Sequence, residues 1–320
     1  MKTRRLGSSG PDISVIGFGA WEAGGMAWGP DPGEERVLEA IRTAVDAGMT
    51  WVDTAEVYGG GRSEELVGRA LADDDDVMVF TKVGSSPAGS GYDRAGVRAG
   101  AEASLKRLGR DVIDLYQIHW LDRHGGVPLE ETWEAMAALV DDGLVRWIGV
   151  SNFDRASIER CERIRHVDSL QPHFSMLWRE GTDDLFPFCA ENGTGIIAYG
   201  PMAFGLLTGA VTRDTQFGDD DWRGGGHGIR YYDALFAPGA RERNLDVVDA
   251  LRPVAERLDV TLAQLALSWA FHQHGVTGAI AGSRSPEHVR ENAGAGSVEL
   301  GASDLEEIGG ILAGAPGAPG

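Results

Sequence analysis

Asp53, Tyr58, Lys82 and His119 are the side chains of this 320-residue chain whose types and spacing are best suited to joint chemistry. Each stands at, or just past, the end of a short apolar run. The runs are Trp51-Val52-Asp53 with Tyr58 in the loop behind it, Val77 to Lys82, and Asp114 to His119. Asp53 alternates with Trp51, so one strand face is apolar at its base and ionisable at its tip. A lone histidine at a strand end is more often a satisfied structural residue. Four ionisable groups at consecutive strand ends form a pattern that packing alone does not call for. Together they suit proton donation to a carbonyl oxygen as hydride reaches the carbon. A free tyrosine titrates at about pH 10, so a neighbouring ammonium, Lys82, is expected to favour the phenolate and lower the Tyr58 pKa. Asp53 would hold that ammonium by ion pairing, and His119 would orient the substrate oxygen. Lys82 could instead form a Schiff base, as in barrel aldolases, but its place between Asp53 and Tyr58 favours the electrostatic role.

The elements that must position these groups alternate almost throughout between strand and helix patterns. Strands are expected at Val15–Gly19, Trp51–Asp53, Val77–Lys82, Asp114–His119, Trp147–Ser151, Ser169–Pro172, Gly195–Tyr199 and Gly278–Ala281. Helical stripes lie between them, such as Val37, Ile41, Ala44 and Val45, or Leu129, Trp133, Met136 and Val140. Thr261 and Gln264 have the spacing of a capping box. No linker divides the chain. The pattern fits an α/β fold, a closed (β/α)8 TIM barrel, better than an open sheet, with extra helices and a long loop after strand seven, about Gly200 to Arg241. Residues 1–312 are expected to form one barrel domain, and 313–320 a disordered Gly/Pro/Ala tail. In such barrels, chemistry gathers at the C-terminal strand ends, where Ser151, Asn152, Gln171 and Tyr199 also fall.

Composition narrows the partners. A formal net charge of -20 argues against nucleic acid and anionic membrane surfaces. Runs such as Asp73–Asp76 and Asp219–Asp221 read as solvated turns. No stretch is apolar and long enough to span a membrane, and no signal-type segment follows Arg4-Arg5, so a cytoplasmic protein is expected. Cys161 and Cys189 have no metal or redox spacing and read as reduced, buried thiols. No carboxylate/histidine cluster has ligand spacing, so no metal is expected.

These motifs resemble those of the aldo-keto reductases. The likeness runs from about Arg4 to Ala295. It is carried by Asp53-Thr54-Ala55 with Tyr58-Gly59, Thr81-Lys82, Tyr116 to Trp120, Gly149 to Phe153, Ile197 to Tyr199 with Pro201, and Gly205 to Gly209. Within that family the chain looks more like the microbial branch that includes the potassium-channel beta subunits than like the mammalian aldose reductases. The resemblance places the family's catalytic tetrad on Asp53, Tyr58, Lys82 and His119. It also implies a nicotinamide cofactor across the barrel top. The carboxamide would lie against Ser151, Asn152 and Gln171, with Tyr199 stacked on the ring. Gly19, Ala20 and Trp21 would lie beside the cofactor, and Gly200, Met202, Gly205 and Leu206 around its pyrophosphate. The adenine end would fall on Ser283, Arg284, His288, Glu291 and Asn292.

Amides pair with an amide, and an aromatic face supports a planar ring. Ser285-Pro286 reads as an N-cap and first helical residue, so Ser283 and Arg284 precede a helix N-terminus, where anions bind. Against so acidic a background, that arginine points to NADPH/NADP over NADH. Trp21, Trp28, Tyr92, Trp120, His173 and Phe174 are candidate substrate-pocket walls, joined by Phe217, Trp222 and Tyr231 of the long loop. Such walls would suit a fairly apolar aldehyde or ketone, or the matching alcohol. Two other readings stand beside reduction: a nicotinamide-sensing regulatory subunit with little turnover, and a lyase using Lys82 covalently. The sequence leaves oligomeric state and reaction direction open.

Overall fold

A computed structural model of the chain describes residues 1–25, 27–84, 91–122, 126–224 and 230–314. Most of the expected tail, 315–320, thus lies outside the described residues, and helix formation runs through Ala313. The chain opens with a small antiparallel hairpin, β1 (Thr3–Arg5) and β2 (Asp12–Ser14). Its three-residue strands are too short to show a period in the sequence.

Eight parallel strands then close a barrel: β3 (Ile16–Gly19), β4 (Trp51–Asp53), β5 (Met78–Val83), β6 (Ile113–Ile118), β7 (Val145–Ser151), β8 (Ser169–Gln171), β9 (Gly195–Ala198) and β10 (Val276–Gly282). The crossover helices are α1 (Glu34–Asp46), α2 (Arg62–Ala70), α3 (Arg94–Leu108), α4 (Leu129–Asp141), α5 (Arg155–Glu162) and α6 (Leu185–Asn192). After β9 come α7 (Arg230–Phe236), α8 (Ala240–Arg257) and α9 (Leu262–Phe271), and after β10 come α10 (Pro286–Gly294) and α11 (Ala302–Ala313). This is the (β/α)8 TIM barrel. Local chemistry sets several helix starts. Asp93 and Asp154 cap α3 and α5, and Thr261 and Gln264 cap α9 reciprocally.

The barrel interior is stacked in two layers of opposite character. At the floor, Trp51, Phe80, Leu115, Ile197 and Ile280 form one apolar cluster, closed from below by Leu6 and Ile13 of the hairpin. Trp51 and Phe80 stack at 5.0 Å, and the Trp51 indole N–H donates to the Ser14 carbonyl at 2.8 Å. Two residues further along the same strands, the inward positions become Asp53, Lys82 and Gln117, all buried. Strand register sets these side chains level with their neighbours. Lys82 pairs with Gln117, and Ser151 with Gln171.

Candidate active site

A cavity of about 1110 Å³ opens at the C-terminal ends of the barrel strands. That is more room than a small carbonyl compound fills. Under it lies a buried ion pair. Lys82 is fully buried, and its Nζ donates to Asp53 Oδ1 at 2.5 Å, to the Thr54 carbonyl at 2.9 Å and to the Tyr58 hydroxyl at 3.4 Å. All three ammonium protons therefore have an acceptor. Burial, the largest single influence, depresses the Lys82 pKa, but the charges and hydrogen bonds of Asp53 and Tyr58 outweigh it, and the net direction is upward. Lys82 stays an ammonium, which is what an electrostatic role needs and a Schiff-base nucleophile does not.

Tyr58 opens a tight turn, Tyr58–Gly61. Gly59 follows it at φ +64°, and a Cβ there would come within 2.3 Å of the Gly24 carbonyl oxygen, so only glycine lets the two loops meet and hold the phenol over Lys82. The expected lowering of the Tyr58 pKa is corrected by the structure. Burial dominates and raises it; Lys82 pulls it back only in part, while Asp53 pushes it up. His119 meets the Tyr58 ring edge-on at 5.6 Å. Burial first, then the Lys82 charge, holds its pKa well below the ordinary histidine value, so the imidazole is neutral. Its Nδ1 has no hydrogen-bond partner among the described residues.

Beside the tetrad, strand tips supply a set of amides. Asn152 takes the left-handed conformation at φ +62°, which asparagine tolerates better than most residues. Its Nδ2 donates to the His119 carbonyl and to Ser151 Oγ, and its Oδ1 accepts from the Tyr199 hydroxyl at 2.9 Å. Gln171 Nε2 donates to Asp53 Oδ2 at 2.8 Å. Tyr199 lines the cavity and is backed by the His173 imidazole, 5.2 Å between ring centres. Gly200 sits at φ +66°, and a Cβ there would lie 2.8 Å from His173 Cδ2. A side chain there would collide with that imidazole, so the groove wall at this point is bare backbone. An aromatic platform, amides and glycine backbone in one groove fit a nicotinamide dinucleotide.

The far end of the groove is built from loops. Ser285 caps α10, accepting from the His288 N–H, and Ser283, Arg284, His288, Glu291 and Asn292 line the wall. Arg284 is already engaged: its guanidinium donates to the Trp28 and Pro30 carbonyls at 2.5 and 3.1 Å, and lies 3.8 Å from Glu22. The long loop after β9 crosses to meet this segment. The Trp222 N–H donates to the Ala27 carbonyl and the Gly29 N–H to the Asp220 carbonyl, at 3.1 and 3.3 Å. Arg223 is paired with Asp221 at 2.6 Å and packs over the Trp28 ring.

Of the side chains read from the sequence, Trp21, Trp28, Tyr92 and Trp120 line the cavity with Asp53, Tyr58, His119, Ser151, Asn152, Gln171 and Tyr199, as do Gly19, Gly200, Met202 and Gly205. Tyr231 joins them, while Phe217 and Trp222 pack instead against Phe236. Four more expectations are corrected. Phe174 points out of the barrel onto Phe186 and Trp269, because it is one residue out of phase with the inward Gln171. His173 is buried behind Tyr199 and Phe204, where burial drives its pKa down to about 3. Ala20 and Leu206 are fully buried behind the wall. The sequence reading also missed cavity residues: Glu22, Trp178, Phe204, Arg223 and Tyr232. They sit in loops, in short 3-10 turns or, for Tyr232, in the two-turn helix α7, all too short for a periodicity to announce direction. Gln117 was legible only as a polar residue on the inward phase of β6.

The aldo/keto reductase family model matches residues 15–313. This chain belongs to that family. It is an oxidoreductase acting on carbonyl compounds. The NADH-specific methylglyoxal reductase of Escherichia coli (strain K12) is 33% identical over 325 residues, 95% of this chain and 96% of that protein. Among solved structures, a glycerol dehydrogenase from Gluconobacter oxydans superimposes with a TM-score of 0.86 at 31% identity, covering 99% of this chain and 96% of the other. An aldo-keto reductase from Klebsiella pneumoniae in complex with NADPH does so with a TM-score of 0.74 at 28% identity, covering 98% and 96%. Among the described residues no helix is long and apolar enough to cross a membrane, and no group of three or more His, Cys, Asp or Glu is set to hold a metal ion.

Proposed function

We propose that this enzyme reduces an aldehyde or ketone to its alcohol, and runs in reverse, with Tyr58 as proton donor and NADPH as the preferred cofactor. The reading rests above all on Lys82, whose one ammonium bridges Asp53 and the Tyr58 hydroxyl. The nicotinamide, when bound, supplies the hydride. Ser151, Asn152 and Gln171 would hold its carboxamide, and Tyr199 its ring. Neutral His119 orients the carbonyl oxygen by hydrogen bonding. Tyr58 gives its proton to that oxygen, and Lys82 stabilises the phenolate left behind. Asp53 keeps Lys82 charged and aimed. The NADPH preference is supported by Arg284 and His288 beside the capped N-terminus of α10. The aromatic walls support apolar, including aryl or alicyclic, carbonyl substrates.

A panel of aldehydes, ketones and alcohols, followed at the nicotinamide absorbance with NADPH and NADH, tests the proposal. Turnover should be highest on apolar carbonyls with NADPH. Tyr58→Phe should lower reduction by about 10²–10⁴-fold while leaving cofactor affinity near the native value. Retained reduction in that variant would remove Tyr58 as the donor. Tight cofactor retention with negligible turnover on every carbonyl would favour the sensing subunit.

A further inference from the structure

Asp53 Oδ2, the carboxylate oxygen facing away from Lys82, accepts two amide protons. One comes from Gln171 Nε2 at 2.8 Å, the other from Gln117 Nε2 at 3.3 Å. An ionised carboxylate only accepts, so both glutamines must turn their amino ends towards it. Gln117 then presents its carbonyl to Gln171: Gln171 Nε2 donates to Gln117 Oε1 at 3.3 Å. Both protons of the Gln171 amino group are thereby used, one on Asp53 and one on Gln117. What Gln171 has left for the cavity is its carbonyl oxygen. Gln117 is fully buried and does not border the cavity.

We infer that Gln117 is a positioning residue that makes Gln171 a pure hydrogen-bond acceptor towards the cavity, selecting a cofactor whose ring substituent carries an amide N–H. It acts through Gln171 and touches neither cofactor nor substrate. The bond from Gln171 Nε2 to Asp53 Oδ2 ties this cofactor seat to the Asp53–Lys82 pair, so the ring-binding and proton-donating halves of the site share one carboxylate. This inference rests on the preceding assignment of Gln171 to the nicotinamide carboxamide.

The test is equilibrium binding, read from tryptophan fluorescence, of the preferred oxidised dinucleotide and of its 3-acetylpyridine analogue, which keeps the carbonyl and lacks the amide N–H. Native protein should favour the natural dinucleotide. Gln117→Met, similar in shape and unable to hydrogen-bond through an amide, should shrink that affinity ratio about five-fold, the worth of roughly one hydrogen bond. Gln117→Leu serves if the methionine variant does not fold. Gln117→Glu, kept protonated by the adjoining Asp53 carboxylate, can donate its O–H to Asp53 and retain its carbonyl as an acceptor for Gln171, so it should keep the native ratio. In a Gln171→Met background the Gln117 substitution should have no further effect on the ratio. An unchanged ratio in Gln117→Met, or an equal fall in Gln117→Glu, overturns the inference. If Gln171→Met alone keeps the native ratio, the assignment of Gln171 to the carboxamide fails; if Gln171→Met lowers the ratio and Gln117→Met does not, only the role of Gln117 fails.

Discussion

The two ends of the cavity are built differently. At the tetrad end, side chains project from strand tips fixed by the barrel ladder. The ion pair at their centre is buried and saturated: Lys82 has three acceptors, and Asp53 Oδ2 two donors. At the far end the wall is made of loops that hold one another. Arg284 spends its guanidinium on the Trp28 and Pro30 carbonyls, and the long loop is tied to Ala27 and Gly29 by backbone bonds. The first end is rigid because a buried charge tolerates no loose partner. The bonds of the second lie in exposed or part-buried surroundings. In the proposed function, chemistry falls to the first end and cofactor choice to the second; among similar proteins one is named NADH-specific and another is seen with NADPH.

The largest effect should come from breaking the rigid end. Lys82→Met leaves Asp53 as a buried, uncompensated carboxylate. Turnover should fall by about 10²–10⁴-fold, and unfolding free energy by about 3–5 kcal/mol, read by denaturant titration. A variant that stays as stable as the native enzyme would contradict the saturated-pair account.

The loop end sharpens the contrast. Arg284→Ala removes a cation from the groove and two donors from the loop around Trp28. If Arg284 reads the cofactor's extra phosphate, NADPH affinity should fall about ten-fold and NADH affinity little, since a charge-assisted hydrogen bond is worth about 1.5–3 kcal/mol. An equal loss for both cofactors would make Arg284 a tether of the loop alone. Arg223→Ala frees Asp221 and uncovers Trp28. It should raise the cofactor dissociation rate several-fold in stopped-flow displacement and lower unfolding free energy by about 1–3 kcal/mol, because the Asp221 side chain it unpairs is largely buried.

The smallest effect is in pH dependence. Burial raises the Tyr58 pKa above its ordinary value of 10.0. Reduction uses the protonated phenol and should stay level through neutrality, falling only as pH climbs past that raised value. Oxidation uses the phenolate and should rise with pH over the same range. His119 is neutral because its pKa is held well below 6.5, so no acid limb should appear near that pH. A break in the rate of reduction there would show His119 titrating in the working range.

How much of this was legible beforehand differs between the two ends in the same way. Asp53 and Lys82 follow inward apolar residues, Trp51 and Phe80, at the strand period of two, and that local regularity placed them without any tertiary knowledge. Phe174 was misread because a single residue of phase reverses its face. Glu22 and Arg223 lie in single 3-10 turns and Tyr232 in the short helix α7, too brief to show a period, and only the path of the chain brings them to the groove.

The sequence by itself determined the alternation of strand and helix, the closed barrel, and the four ionisable side chains at its rim, because each depends on residues close together along the chain. Only the tertiary structure decided which way the acidity of Tyr58 moves, since burial and two opposed charges from other strands must be summed. The same holds for the partners of Arg284, the burial of His173, and the turn of the Gln171 amide that Asp53 and Gln117 set between them. Desolvation and hydrogen-bond direction belong to an assembled environment, and residue order does not contain them.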